Sequence, residues 1–385
     1  MSGPAIYLDY HATTPVDPRV LKAMLPYFTE VFGNPASASH SFGWKAMEAV
    51  ETARRQVAGL IGAQAREIIF TSGATESNNF AIKGVTETPR DGRNRIVTSA
   101  IEHKSILETF AKLALQGWHV EIVGVDPGGR LKLDELSKVV TPDTALVSVM
   151  GANNEIGTVQ PLAEIGAIAH AAGAIFHVDG AQAVGKVPID VPAMHIDLLS
   201  LTGHKMYGPK GCGALYVRKR TELAPMIRGG GQERGLRAGT LNVPGIVGLG
   251  CACEICRKEM TEENARLRHL RDHLLNGLTA GLDGVIVNGT LDERLPHNLH
   301  VSFTGLDGES LLLGIGDIAV SSGSACQSSS GKPSHVLAAI MGSDNVPSAS
   351  IRFGVGRATT KSEIDFVIEK FTTVVRKLRE LHPVH

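Results

Sequence analysis

The sequence predicts an α/β protein with two domains, and three observations support this. Short β-branched runs alternate with longer amphipathic stretches, the apolar runs are continuous, and the pattern changes at a charged helical stretch near residue 254. Continuous apolar strands alternating with helices are typical of a mainly parallel sheet covered on both faces. With 385 residues, 43% of them hydrophobic, the chain is long enough for that core and a second domain.

Seven apolar runs predict a seven-stranded sheet in a large domain, which we place at residues 15–260. In chain order they are EIIFTSG, RIVTSA, HVEIVGV, ALVSVMGA, AIFHVDG, DLLSLTG and GALYVRK. Most of them are followed by helical text such as TESNNFAIKGVTET or PLAEIGAIAHAAG, so repeated strand–helix units are expected.

The remaining segments, residues 1–14 and 261–385, are assigned to a smaller α+β domain. The charged stretch EICRKEMTEENARLRHLRDHLLNGL predicts a long helix that bridges the two domains. Beyond it, GVIVNGT, HNLHVSFTG and DIAVSSGS read as strands separated by turns and helices.

Charge and composition exclude several classes of function. The formal net charge of −1 gives no global attraction to nucleic acid or to an acidic membrane surface. No apolar run reaches the roughly 18 residues of a membrane span, and the start MSGPAIYLDY lacks the pattern of a signal peptide. The five cysteines, Cys212, Cys251, Cys253, Cys256 and Cys326, are too sparse for a disulfide framework. We therefore expect a cytoplasmic protein.

Polar residues at the strand ends locate the candidate site, because ligands of parallel sheets bind beyond the carboxyl ends of the strands. After EIIF, the turn TSGATESNN leads into a helix, so the backbone around Ala74 and Thr75 offers N–H groups to a phosphate. An ordinary capped helix explains the same text equally well. Two later strands end at His103 and at the pair Asn153–Asn154, residue types that are commonly structural.

Two further strand ends carry a carboxylate and an amine. Asp179 ends an apolar strand, where an ionised carboxylate costs several kcal/mol unless it has a cationic partner. Gln182 follows it, and Lys205 follows the next strand in the segment LTGHKMYGPKG. Taken alone, Lys205 reads as a solvated loop residue. A phosphate cradle, a histidine, an acid and an amine at successive strand ends together predict pyridoxal 5′-phosphate (PLP). No GxGxxG follows an early strand, which disfavours dinucleotide binding.

The same segments carry a family resemblance along nearly the whole chain. YLDYHATTPVDPRV, FGNPASASHSFG, TSGATESNN, HVDGAQAVGKVPID, TGHKMYGPKGCGALYV, GGGQERGLRAGTLNV, SSGSACQSSS and SIRFGVGR resemble the cysteine desulfurases of the NifS/IscS type. These belong to the class V aminotransferases among the fold-type-I PLP enzymes. The resemblance implies a PLP-dependent transferase that acts on L-cysteine, forms a homodimer and holds no metal.

The resemblance also implies residue roles. Lys205 would bond to the cofactor aldehyde and then move the Cα proton, and His103 would stack on the ring and assist proton transfer. The other implied PLP contacts are Ala74, Thr75, Asn154, Asp179, Gln182, Thr202, His204 and, from the second subunit, Thr240. Asn34, Asn154 and Arg352 would bind substrate. Family members usually have serine where this chain has Thr202, and the shared hydroxyl preserves the expected phosphate contact.

The stretch SSGSACQSSSGKPSH, residues 321–335, is predicted to be a flexible loop that carries Cys326. A lone loop cysteine is usually an incidental thiol. In a desulfurase, the Cys326 thiolate would take sulfur from cysteine and carry it as a persulfide to acceptors such as an iron–sulfur scaffold or tRNA-thiolation proteins.

Three alternatives remain at this stage: a selenocysteine lyase, a class V aminotransferase without sulfur chemistry, and a non-catalytic subunit of a sulfur-assembly system. CACEIC, residues 251–256, places Cys253 and Cys256 on one helix face, where buried cysteines are commoner than metal ligands.

Overall fold

The computed structural model describes residues 6–89, 92–322 and 334–381. In that part of the chain the strands are β1 (Ile6–Tyr7), β2 (Ile68–Thr71), β3 (Arg95–Ser99), β4 (His119–Val123), β5 (Thr144–Met150), β6 (Ile175–Asp179), β7 (Leu198–Thr202), β8 (Gly213–Val217), β9 (Val285–Val287), β10 (Asn298–Phe303), β11 (Ile318–Ala319), β12 (Ser321–Ser322) and β13 (Ser350–Gly354).

The α-helices of the same residues alternate with these strands in the first half of the chain. They are α1 (Pro18–Met24), α2 (Pro26–Thr29), α3 (Ser41–Leu60), α4 (Ala74–Thr86), α5 (Lys104–Ala114), α6 (Leu133–Val139), α7 (Leu162–Ala171), α8 (Val243–Gly281), α9 (Gly308–Gly314), α10 (His335–Met341) and α11 (Lys361–Leu381).

A seven-stranded sheet forms the centre of the large domain, in the order β2-β8-β7-β6-β5-β3-β4. Every neighbouring pair is parallel except those of β8, which runs antiparallel to β2 and β7. One face is covered by α3, α7 and the first half of α8, and the other by α4 and α5. The predicted α/β class and the seven strands are confirmed.

The strands end side by side, and this places the site. In β5 and β6, Met150 pairs with Asp179, and in β6 and β7, Asp179 pairs with Ser200. The carboxyl ends of β5, β6 and β7 therefore lie at one edge of the sheet, with the α4 N-terminus beside them.

A second core lies around the antiparallel sheet β12-β13-β10-β9, against α9, α11 and the second half of α8. The first strand, β1, pairs with β11 of this region. The two separate cores support our proposed domain division at residues 15–260 against 1–14 and 261–385. The predicted bridging helix is α8, whose 39 residues give Cys253 and Cys256 to the first core and Leu270 and Leu274 to the second.

Candidate functional site

The strand ends of the large domain and one buried strand of the small domain enclose a cavity of about 720 Å³. Ten of the predicted site residues line it. They are Ala74, Thr75, His103, Asn154, Asp179, Gln182, Thr202, His204, Lys205 and Arg352.

One corner of the cavity is the N-terminus of α4. Its N-cap residue, Gly73, has φ +152° and makes no side-chain capping bond, so the first N–H groups of the helix face the cavity uncapped. A Cβ on Gly213 would lie 2.6 Å from the Gly73 Cα, so only glycine lets β8 approach this turn. With the Thr202 hydroxyl at the same corner, the arrangement suits a phosphate group.

Cationic side chains surround that corner. Lys205 and Lys210 line the cavity beside His204. Burial, with the positive charges of the two lysines, lowers the pKa of His204 to about 4, so its imidazole is neutral at physiological pH. The His204 Nδ1 lies 3.1 Å from the Thr13 hydroxyl. Lys210, which has no other assigned role, adds positive charge at this corner that favours a phosphate dianion.

Asp179 is a buried carboxylate at the end of β6, with 5% of its surface exposed. Its Oδ2 accepts a hydrogen bond of 2.8 Å from the Asn78 amide, and its Oδ1 accepts one of 3.0 Å from the Ala181 N–H. Among the described residues, no cationic side chain pairs with it. Because a buried carboxylate favours a cationic partner, Asp179 fits the protonated ring nitrogen of PLP.

His103 is the N-cap residue of α5, and its Nδ1 accepts a hydrogen bond of 3.1 Å from the Ser105 N–H. A backbone N–H can only donate, so the neutral ring carries its proton on Nε2. Burial lowers the pKa of His103, which keeps the ring neutral. The residue therefore presents one ring N–H, on Nε2, and it lines the main cavity.

Lys205 lies in the short turn Gly203–Lys205 that follows β7. Its amine donates a hydrogen bond of 2.9 Å to the Ala12 carbonyl and a second one to the His11 carbonyl. The turn is closed by a bond of 2.9 Å from the Met206 N–H to the Gly203 carbonyl, and the Gly203 N–H donates to the Cys212 carbonyl at 2.9 Å. The strand β7 and the hydrogen-bonded turn after it thus hold the amine at the cavity wall. Lys205 is therefore not a solvated loop residue.

Arg352 projects from β13, with only 5% of its surface exposed. Its guanidinium is 2.8 Å from the Asp9 carboxylate and donates to the Asn154 carbonyl at 2.8 Å and to the Ser321 hydroxyl at 3.0 Å. The Arg352 Nε has no partner in the described part of the chain. A fixed, buried guanidinium in the cavity wall is suited to a carboxylate ligand.

Two predicted residues lie elsewhere within this single chain. Asn34 and Thr240 are exposed and line a second cavity of about 440 Å³. The Asn34 side chain accepts a hydrogen bond of 2.9 Å from the Ala36 N–H. Their shared position on an exposed surface is where a second subunit would have to approach.

Cys326 lies outside the described residues, as do residues 323–333 of the predicted loop. The flanking residues are anchored. The Ser334 hydroxyl donates to the Glu155 carboxylate at 2.5 Å, and the His335 Nε2 is 3.0 Å from the Glu102 carbonyl. His335 and Ser321 both line the main cavity, so both flanks of the loop meet it.

Sequence reasoning missed several cavity residues, notably His11, Asn78, Glu155, Lys210 and His335. His11 stands inside the quoted motif YLDYHATTPVDPRV and Glu155 directly follows the pair Asn153–Asn154, and their polar character was the available signal. The pair Asn153–Asn154 divides: Asn153 is buried and holds the turn by accepting from the Glu155 and Ile156 N–H groups, whereas Asn154 lines the cavity.

The helix cysteines are packing residues in this structure. Cys253 and Cys256 are buried in the large core, and burial raises the pKa of both thiols. Cys251 is partly buried against α1. Within the described ranges, no three His, Cys, Asp or Glu side chains cluster in a way that would hold a metal ion.

Comparison with known proteins gives matches along almost the whole chain. The model of the class-V aminotransferase family matches residues 6–367. A protein named cysteine desulfurase IscS from Anaeromyxobacter sp. strain K is 54% identical over 382 residues, covering 99% of this chain and 95% of that protein.

Solved structures agree with that match. A structure titled NifS-like protein has a TM-score of 0.90 and 40% identity, covering 97% of this chain and 100% of its own. A structure titled SspA in complex with cysteine has a TM-score of 0.80 and 38% identity, covering 91% of this chain and 98% of its own. Searching the described residues for a helix long and apolar enough to span a membrane found none.

Proposed function

The chain belongs to the class-V aminotransferase family, and from that premise we propose how its own residues carry out a cysteine desulfurase reaction. It is a PLP-dependent enzyme that removes sulfur from L-cysteine and leaves L-alanine. The observation that carries this function is the single cavity that joins Lys205, Asp179 and the α4 N-terminus, in a chain 54% identical to a cysteine desulfurase.

The cavity fits PLP by the chemistry of its donors. Ala74, Thr75, Thr202 and His204 would hold the phosphate, and Asp179 would keep a proton on the ring nitrogen. When bound, PLP withdraws electrons from the amino acid attached to it and so weakens the Cα–H bond. Gln182 would donate to the phenolic oxygen of the cofactor, and Thr240 of a second subunit would reach the phosphate.

Proton movement falls to two residues. The Lys205 amine, held by two carbonyl groups, would take the proton from Cα of the substrate and deliver it elsewhere on the same molecule. His103, neutral with its proton on Nε2, would stack on the ring and assist that transfer.

Substrate binding would involve three residues. Arg352 would bind the substrate carboxylate with its fixed guanidinium. Asn154, whose backbone carbonyl already holds Arg352 at 2.8 Å, would contact the same end of the molecule. Asn34 would reach the carboxylate from the second cavity, as part of a dimeric site.

Sulfur transfer is assigned to Cys326. Its thiolate attacks the sulfur of the substrate, an S–S bond forms, and the Cβ–S bond breaks with its electron pair remaining on carbon. Protonation of that carbon completes alanine. L-Cysteine and one thiol thus give L-alanine and one persulfide, and the balance requires no external oxidant.

A persulfide must then be passed on, which places the enzyme in the supply of sulfur for iron–sulfur clusters. The Cys326 persulfide would be delivered to an acceptor protein such as a cluster scaffold, and tRNA thiolation is a second destination. We propose a cytoplasmic enzyme, because a reducing compartment keeps the Cys326 thiol free to attack the substrate.

A homodimer is part of the proposal. Apolar side chains near Asn34 are exposed, with Phe28, Phe32 and Trp44 at 58%, 64% and 58% of their surfaces. Large apolar side chains exposed to this extent favour burial against a partner. Light scattering on the purified chain should give twice the monomer mass.

The deciding experiment compares wild type with Cys326→Ala under turnover with cysteine and a reductant. We expect PLP absorption and its response to cysteine in both proteins, and alanine with sulfide only in wild type. Equal sulfide from Cys326→Ala would contradict the persulfide step. Turnover that depends on a keto acid, or selenocysteine used in strong preference to cysteine, would favour the two related activities, and no turnover in wild type would favour a non-catalytic subunit.

A further inference from the structure

His11 is a fully buried histidine that contacts the residues of the site without being assigned a role in it. Its backbone carbonyl accepts hydrogen bonds from Lys205 and from the Gln182 Nε2, the latter at 3.1 Å. Its Nδ1 is 3.1 Å from the Gln182 Oε1, and its Nε2 is 2.9 Å from the Asn298 Nδ2. His11 therefore lies between a cavity residue and a strand of the small domain.

The direction of these hydrogen bonds is fixed at Asn298. Its Oδ1 accepts from the Arg294 guanidinium at 3.2 Å, and its Nδ2 donates to the Glu155 carbonyl at 2.9 Å. A guanidinium can only donate and a carbonyl can only accept, so the Asn298 amide has one possible orientation. Its second N–H consequently points to the His11 Nε2.

The proton of His11 follows from that orientation. Since Nε2 accepts from Asn298, the neutral ring must carry its hydrogen on Nδ1. Burial first, and then the charges of Arg352, Lys205 and Lys186, hold the pKa of His11 far below its usual value, so the ring stays neutral. The stacked His297 ring, with its centroid 4.3 Å away, fixes the plane.

Gln182 is the last residue in this series of hydrogen bonds. The His11 Nδ1–H donates to the Gln182 Oε1, which turns the Nε2 of the amide toward the His11 carbonyl and the cavity. One of its two N–H groups binds that carbonyl, and the second is left for a ligand. Rotating the Gln182 amide by half a turn would place its Oε1 against the His11 carbonyl oxygen and its Nε2 against the His11 Nδ1–H.

We propose that His11 is a positioning residue, which transmits the hydrogen-bond direction fixed by Arg294 and Asn298 to Gln182, so that Gln182 presents an N–H to an anionic oxygen of the bound cofactor. The inference rests on the proposed PLP site. It adds that Asn298 of β10, in the small domain, determines which group of Gln182, in the large domain, faces the cofactor.

The test uses two variants of similar shape, His11→Asn and His11→Leu. Asparagine places an N–H near the Nδ1 position, and leucine places none. With the full-length protein stripped of cofactor and titrated with PLP, we expect the dissociation constant to rise about tenfold in His11→Leu and less than about threefold in His11→Asn. Both variants lose the contact with Asn298 and the stacking on His297. They differ only in whether an N–H can donate to the Gln182 Oε1.

A double-mutant cycle with Gln182→Leu distinguishes positioning from general stability. In that background His11→Leu should weaken PLP binding by less than about twofold, since the amide it orients is gone. Equal tenfold losses with and without Gln182 would overturn the proposal.

Asn298→Leu provides a second route if His11→Leu does not fold, because it removes the donor one step earlier. We expect a rise of about threefold or more in the PLP dissociation constant, again cancelled by Gln182→Leu. Equal PLP binding by His11→Asn and His11→Leu, or an unaffected Asn298→Leu, would overturn the inference alone. A wild-type chain that fails to bind PLP would overturn the proposed function as well.

Discussion

The two walls of the cavity are built in different ways. On the large-domain wall, the proposed PLP ligands lie at or just beyond the ends of apolar strands, as Asp179 is the last residue of β6 and Lys205 follows β7. On the small-domain wall, Arg352 lies inside β13, a strand buried at every position. Beside it lies another buried polar side chain, since Arg352 pairs in register with His300 of β10.

This difference indicates a division of labour. Apolar strands fix a few polar groups where they end, which suits a cofactor that stays bound. A polar layer inside the small domain holds one guanidinium and, through Asn298, orients groups on the other wall. The comparison predicts that changes on the large-domain wall affect the cofactor or its chemistry, whereas changes at Arg352 affect substrate binding.

Lys205→Ala is the strongest test of the large-domain wall. We expect alanine production to fall by about 10³-fold or more, because the amine proposed to move the Cα proton is lost. PLP should remain bound without being fixed by borohydride reduction, as measured by absorbance after gel filtration. Cysteine turnover near the wild-type rate would break the assignment.

Arg352→Leu is the matching test of the small-domain wall. We expect the KM for cysteine to rise about 100-fold while the PLP dissociation constant changes less than about twofold. The KM of Arg352→Lys for cysteine should lie between those of wild type and Arg352→Leu, since lysine retains the positive charge but loses the planar pair of N–H donors of the guanidinium. Because Asp9 loses its partner, thermal melting must show that each variant is folded. Equal losses in PLP and cysteine binding would remove the distinction between the walls.

A smaller effect is expected at the phosphate corner, where Glu76 stands in the first turn of α4. Burial alone raises the pKa of Glu76, but hydrogen bonds from Arg237 and Ser72 bring it below its usual value, so the group is ionised. The Arg237 Nε lies 2.9 Å from its carboxylate. Arg237→Met should leave a negative charge beside the phosphate and weaken PLP binding about tenfold.

Adding Glu76→Gln to Arg237→Met should restore most of that affinity, because the uncompensated charge is then gone. Isothermal titration of the four proteins of the cycle measures the effect. If the double variant bound PLP as weakly as Arg237→Met, the arginine would instead act by holding the conformation of the loop 229–240.

The last effect concerns folding stability and not the site chemistry, at Glu102, which is fully buried with one carboxylate oxygen unpartnered in the described residues. Burial raises its pKa from 4.5 to about 8. The folded protein therefore keeps a proton that the unfolded chain releases above pH 4.5, and this contribution to stability is lost as pH rises through about 8.

Glu102→Gln mimics the protonated form at every pH. Relative to wild type, we expect the variant to gain up to roughly 1.4 kcal/mol of unfolding free energy per pH unit between pH 5 and pH 8. Urea denaturation at three pH values measures this slope. A difference that does not vary with pH would show that Glu102 is ionised in the folded protein.

The strand ends could be predicted from the sequence because each is a polar residue that interrupts an apolar run. Asp179 and Lys205 stand out for that reason, and the seven strands of the large sheet were all recognised. The family resemblance then supplied roles, such as that of Arg352, which no local pattern indicates.

The hydrogen-bond chain through His11 could not be predicted, because it depends on contacts between distant segments. His11 and Asn298 are 287 positions apart, and neither stands at the end of an apolar strand that would mark it. Likewise, the short strand β1 has no periodicity of its own and exists because it pairs with β11. Tertiary contacts decide such elements.

The ion pair between Asp9 and Arg352 limits the timing of assembly during synthesis. Asp9 follows β1 closely, and its partner Arg352 is 343 positions away. At 5–20 residues per second, a ribosome needs roughly 20–70 s to produce that partner after Asp9 has been made. The large sheet can form in this interval, but the small-domain wall that contains Arg352 cannot. Completion of the active site is thus among the last events in the life of the nascent chain, and a product terminated before β13 would lack Arg352.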